Sequence, residues 1–147
     1  MKLVIQRVKE ASCLVNSKIT GKIGVGFMIL VGIAAEDERK DAAYLAKKVA
    51  KLRVFDDEEG KMNNDLRAVQ GAVLSISQFT LLADTRKGNR PSFVKAMRGE
   101  DAKQLYEYFN EQLRAEGYIV QTGIFGADMQ ISLVNDGPVT ILMESEK

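Results

Sequence analysis

The sequence predicts an α+β fold (α/β in some classifications): a single domain in which a mixed, largely antiparallel sheet forms a partial barrel and carries two long amphipathic helices. Three observations carry this expectation. Apolar and β-branched runs of strand length dominate the first third and the tail. Two longer segments between them switch to the helical period. At 147 residues, 46% apolar and 28% charged, with no Pro/Ser-rich linker, low-complexity tract or internal repeat, the chain fits one domain over 1–147.

Taken in order, residues 3–8 and 11–15 are two short strand-like runs, and 18–26 carries turn or bulge chemistry around Gly21 and Gly24. Residues 27–33 form a continuous buried-strand run. From Glu38 the period changes: Ala42, Leu45, Ala46, Val49 and Leu52 share one helical face, with lysines and acids opposite. An acidic turn follows at 56–60, then a strand over 73–82. A loop runs through 88–91, and Pro91 is placed to start a short helix, since proline suits the first helical turn. Ala102, Leu105, Tyr106, Phe109 and Leu113 mark the second long helix, closed by Gly117 at the position after its C-cap. Met129, Ile131 and Leu133 alternate with polar residues as a half-buried strand, which ends at Gly137-Pro138; residues 139–143 form another.

Composition excludes several chemistries. There is no histidine anywhere, which removes Ser-His-Asp and Cys-His hydrolytic machinery and zinc sites built on imidazole. No cluster of carboxylates accompanies the segments singled out below, where Asp136 is the only acid, so neither a metal nor another cofactor is expected. Cys13 stands alone in an apolar strand, so it reads as core; no intramolecular disulfide is possible, which fits a reducing cytoplasm. The longest uncharged apolar-rich run, 26–35, is ten residues, half of the roughly 20 that a membrane-spanning helix needs. The start resembles a signal peptide only until Gln6, Arg7, Lys9 and Glu10, and is expected to be a strand of the mature protein.

Charge is nearly balanced, with 21 Lys+Arg against 20 Asp+Glu. It is unevenly spread. Arg86, Lys87, Arg90, Lys95 and Arg98 fall within a stretch without a single acid, on a body that is otherwise net acidic. Such a stripe suggests one focused anionic partner, though a solvated loop has the same composition.

Two segments set hydroxyl and amide side chains into apolar strands: Ser77-Gln78-Phe79-Thr80-Leu81 and Asn135-Asp136-Gly137-Pro138-Val139-Thr140. In a strand, Ser75, Ser77 and Phe79 would point one way and Ile76, Gln78 and Thr80 the other. The strand end would offer hydroxyls and free backbone N–H groups to a ligand, or merely cap itself. A lone Ser or Thr is a poor nucleophile without a base. Gly137-Pro138 reads either as a ligand-facing unit or as an edge-strand proline. The glycines at 21, 24, 26 and 32 do not spell a phosphate loop.

Together with Gln6-Arg7-Val8, Gly60-Lys61-Met62-Asn63 and Gly88-Asn89-Arg90-Pro91-Ser92-Phe93, these two segments occur in the order found in the D-aminoacyl-tRNA deacylases, which the chain resembles over its whole length. The resemblance implies hydrolysis of the ester between a D-amino acid, or misattached glycine, and the terminal adenosine of tRNA. It implies a catalytic role for Ser77, Gln78, Phe79 and Thr80, with backbone N–H groups stabilising the oxyanion. Substrate would be bound by Gly137 and Pro138, as a cis unit that leaves no room for an L side chain, together with Asn135, Met129 and Arg7, which would brace the Gly-Pro unit. The acceptor end of tRNA would meet Arg86, Lys87 and Arg90. The resemblance further implies a homodimer, the Gly-Pro of one subunit entering the other's pocket. The missing base then points to help from the neighbouring ribose hydroxyl, with Thr80 as the rival nucleophile. A non-catalytic nucleic-acid-binding domain of the same fold is the alternative; a general serine/threonine esterase suits the residues less, for want of a base.

Overall fold

The computed structural model describes residues 1–146, and its sheet is organised around one long strand. β1 (Lys2–Val15) pairs antiparallel with β8 (Gln130–Glu144) along one side. On its other side it pairs antiparallel with β3 (Gly26–Gly32) and, further along, with β2 (Lys18–Ile23). β3 pairs in parallel with β6 (Ala72–Ser77), and β6 in parallel with β7 (Val120–Thr122). The sheet curls until β2 approaches β7. There a Cβ on Gly21 would lie 2.6 Å from the Thr122 carbonyl oxygen, so only glycine permits the approach. A separate hairpin is formed by β4 (Phe55–Asp56) and β5 (Met62–Asn64).

β1 is one strand, not the two runs that the sequence suggests, because Lys9 and Glu10 remain in it. Residues 18–23 are a strand as well. The turn lies before them, at Asn16 and Ser17, whose positive φ values of 49° and 64° suit a tight hairpin. The expected irregularity survives as a register shift opposite Cys13 and Leu14.

The two faces of the sheet have separate cores. Leu3, Ile5, Phe27, Ile29 and Val31 pack under the helices α1 (Arg39–Ala50) and α2 (Gly99–Ala115). The helices bury the stripes expected of them, Ala42, Leu45, Ala46 and Val49 from α1 and Ala102, Leu105, Tyr106, Phe109 and Leu113 from α2, except that Leu52 lies past the end of α1 and is half-buried. Gly117, at φ +98°, ends α2 in the expected place. On the other face Val8, Ala11, Cys13, Ile23, Met28, Leu74 and Ile76 fill the inside of the curl, so Cys13 is core. No helix among the described residues is long and apolar enough to cross a membrane.

Pro91 starts no helix. The Asp84 and Ser92 backbones exchange two hydrogen bonds, of 2.8 and 2.9 Å, which hold Pro91 in the closing arm of a loop.

Candidate active site

The strand expected over 73–82 ends early. β3 stops at Gly32, so Val31–Ser77 is the last pair, and the Gln78 N–H makes a final bond to the Val31 carbonyl at 2.7 Å. The chain then coils into a 3₁₀ turn, Phe79–Leu82. Gly32 makes room for it: a Cβ there would lie 2.8 Å from Leu82 Cδ2 and 2.9 Å from Leu81 Cβ. Thr80 is therefore a turn residue, and its direction does not follow strand alternation.

This turn opens beside a cavity of about 280 Å³. Ser77, Gln78, Phe79 and Met129 line it, with Ile33, Met97, Phe125 and Ala127. No lining side chain is ionisable. Gln78 donates through Nε2 to the Thr80 hydroxyl, so that hydroxyl is met by an amide donor and not by a base. Because the Gln78 N–H is spent on Val31, it drops out of the possible oxyanion donors. The Phe79 and Thr80 N–H groups, which begin the turn, donate to no backbone carbonyl among the described residues. Phe79 is 57% exposed and meets Phe93 edge-on, at 5.1 Å between ring centroids.

Asn135, Gly137, Pro138 and Arg7 are not in this cavity. β8 runs straight through the Gly-Pro segment, and does not end there. Its pairs with β1 pass from Val8–Asn135 to Gln6–Thr140, so Arg7 alone faces residues 136–139, which bulge from the strand. The Gly137–Pro138 peptide bond is cis. Arg7, whose side chain is mostly buried, holds the bulge. Its Nε donates to the Asp136 carbonyl at 2.9 Å, and its Nη1 to the Val54 carbonyl at 2.7 Å. The carboxylates of Asp56 and Asp136 each lie 3.7 Å from the guanidinium.

The basic loop is less free than its composition suggests. Arg86 forms a forked pair with Asp84, and this contact holds the Asp84 carboxyl well below the usual carboxylate range. Lys87 and Arg90 are exposed.

A family model described as D-Tyr-tRNA(Tyr) deacylase matches residues 4–144. The chain belongs to this deacylase family. Its relatives include a protein of Bacillus cytotoxicus (strain NVH 391-98) named D-aminoacyl-tRNA deacylase, 55% identical over 146 residues, which span 99% of this chain and 100% of that one. A Bacillus cereus (strain AH187) protein of the same name is 54% identical over the same shares. Among solved structures, one described as c-Myc DNA Unwinding Element Binding Protein is 43% identical, with a TM-score of 0.93 and full coverage of both chains. A probable eukaryotic D-amino acid tRNA deacylase, 15% identical, covers 97% of this chain and 98% of its own with a TM-score of 0.85, a likeness of fold alone.

In this deacylase fold the cavity draws on residues that the sequence patterns mark as core or not at all. Val31 comes from the end of β3 and Ile33 from just after it, Met97 and Ala102 from the approach to α2 and its first turns, and Phe125-Gly126-Ala127 from a turn after β7. The signal for the last was glycine spacing. Gly126 has φ +77°, and a Cβ on Gly123 would lie 2.3 Å from Met129 Sδ, so Gly123 allows Met129 its place on the wall.

Proposed function

We propose that this chain hydrolyses the ester joining a D-amino acid, or misattached glycine, to the terminal adenosine of tRNA, in the cytoplasm and as a homodimer in which each protomer's Gly137–Pro138 enters the other's cavity. The observation that carries this is the conjunction of two free N–H groups, on Phe79 and Thr80, with an apolar cavity that holds no acid or base. An aminoacyl ester is already activated, so positioning and oxyanion stabilisation suffice. Water attacks the ester carbonyl, and the Phe79 and Thr80 N–H groups receive the developing oxyanion. The carbonyl carbon parts from the ribose oxygen, and the neighbouring ribose hydroxyl passes a proton from the water to that leaving oxygen. Amino acid and tRNA are released.

The dimer is supported by two features. Gly137 and Pro138 stand apart from their own protomer's cavity. Next to them the sheet presents an apolar row, Leu142, Val4 and Leu30, paired directly across β8, β1 and β3, with Leu142 73% exposed. In the partner's cavity Gly137–Pro138, with Asn135 beside it and Met129 on the wall, would grip the α-amino group and collide with an L side chain. Glycine, with no side chain, would pass. Lys87 and Arg90, and Arg86 where it can leave Asp84, would meet acceptor-end phosphates, which fix register without reading sequence.

Deacylation of matched D- and L-tyrosyl-tRNA in EDTA tests this. Loss of the D ester with the L ester preserved is expected; equal loss of both would mean an unselective esterase. Tight tRNA or DNA binding with neither ester lost would favour the binding module, the alternative to which the description of the 43%-identical structure points. Thr80→Ala is expected to keep kcat within about tenfold, since the variant retains the backbone N–H and loses only a hydroxyl that no base attends. Abolished turnover with intact tRNA binding would make Thr80 the nucleophile.

A further inference from the structure

The Gly60-Lys61-Met62-Asn63 segment has no part in the chemistry above, yet it lies in a densely hydrogen-bonded surface turn. The Asp57 carboxylate accepts from the Glu59 N–H at 2.9 Å, from the Lys61 N–H at 3.0 Å and from Asn63 Nδ2 at 2.9 Å. These bonds, that from Asn63 first, hold the Asp57 carboxyl below its ordinary range. Asn63 in turn accepts from Arg53, through its carbonyl and through Oδ1, each at 2.8 Å. Arg53, Asp57 and Asn63 thus lock the β4–β5 hairpin at its base and its tip. The residues between Arg53 and Asp57 are the ones that reach Arg7: Val54 offers its carbonyl and Asp56 its carboxylate. Arg7 reaches on to the Asp136 carbonyl, the residue before Gly137.

We propose that the Asp57–Asn63 lock is a positioning device for stereoselectivity: it fixes the Val54 carbonyl and the Asp56 carboxylate, which aim Arg7, which sets where Gly137–Pro138 stands. This rests on Gly137–Pro138 being the chiral filter. Asp57 and Asn63 touch no substrate; they are positioning residues. A turn needed only for surface stability would not require a chain of contacts that ends on the filter. Because the guanidinium is held by carbonyls on two separate elements, displacement of either element re-aims it.

The test exchanges the two ends of the lock. Asn63→Asp sets a second carboxylate against Asp57, and Asp57→Asn sets an amide against an amide. The double variant D57N/N63D restores one donor facing one acceptor while keeping an acceptor for Arg53. The readout is the ratio of kcat/KM on D-tyrosyl-tRNA to that on L-tyrosyl-tRNA. Each single variant is expected to lower the ratio about tenfold, less than the roughly hundredfold loss that a 1 Å misplacement of reacting groups can produce, since the lock acts through Arg7. The double variant should recover most of it. Glu59→Ala, which removes only an exposed pair with Lys61, serves as the control and should leave the ratio unchanged. If N63D does not fold, Asn63→Ala is read in its place. An unchanged ratio in the single variants overturns the proposal, and so does a fall that the double variant fails to repair. A wild-type protein that does not prefer the D ester would instead overturn the chiral-filter function itself.

Discussion

Gly137→Ala is expected to lower kcat/KM on D-aminoacyl-tRNA by about a hundredfold if Gly137–Pro138 grips the substrate as proposed, the scale on which a misplaced binding group disables turnover. Gly137 sits at φ +126°, a backbone region that side-chain-bearing residues avoid. A Cβ there would lie 2.8 Å from Arg7 Nη2, 2.9 Å from Val139 Cγ2 and 3.1 Å from the Val139 nitrogen. Arg7 cannot yield without releasing the Asp136 or Val54 carbonyl, so the bulge itself must shift. Single-turnover deacylation measures the loss. Stability, followed by a parallel thermal melt, should fall only modestly, by about 1–3 kcal/mol for one strained residue. Wild-type turnover in this variant would overturn the proposed role of Gly137–Pro138 in gripping the substrate.

Gly26→Ala acts on the scaffold instead and is expected to cost about 3 kcal/mol or more, among the larger effects of single substitutions. A Cβ on Gly26 would stand 1.8 Å from the Ala72 carbonyl oxygen and 2.8 Å from both the carbon and the nitrogen of Ala72. All three obstacles are backbone, so no side chain can swing aside. Gly26–Ala72 is also the first pair of the parallel β3–β6 ladder, whose last pair, Val31–Ser77, delivers the cavity-lining segment. Spreading the ladder at one end disturbs the other. A fall of about 10 °C in the circular-dichroism melting temperature is expected; a fall of under about 2 °C would show that the strands separate at little cost.

Helices and core strands were legible because periodicity reports burial: the stripe from Ala42 to Val49 and the one from Ala102 to Leu113 are both observed. Three features were not legible, each for a physical reason. The strand at 73–82 stops at Ser77 because its neighbour stops, which is a property of β3 and not of residues 78–82. Pro91 is held by an Asp84–Ser92 bridge, a tertiary contact that overrides its local preference. Gly137-Pro138 interrupts pairing without ending the strand, because β8 pairs with β1 on both sides of the bulge, in a shifted register. The site was half legible. Hydroxyl and amide residues marked Ser77, Gln78 and Thr80, whereas apolar walls such as Ile33, Met97 and Phe125 look like any core side chains until the fold gathers them. Arg7 was marked only by resemblance; its grip on two separate carbonyls is visible only in three dimensions.

The bulge in β8 also bears on solubility. Among the described residues β8 pairs with β1 alone, which leaves a fifteen-residue strand with an open side, the kind of template on which chains stack into aggregates. Residues 136–139 break that open side into two shorter stretches, and Pro138 has no N–H to offer an incoming strand. The bulge thereby limits strand addition along β8, so a substitution that straightened the strand would favour edge-to-edge aggregation.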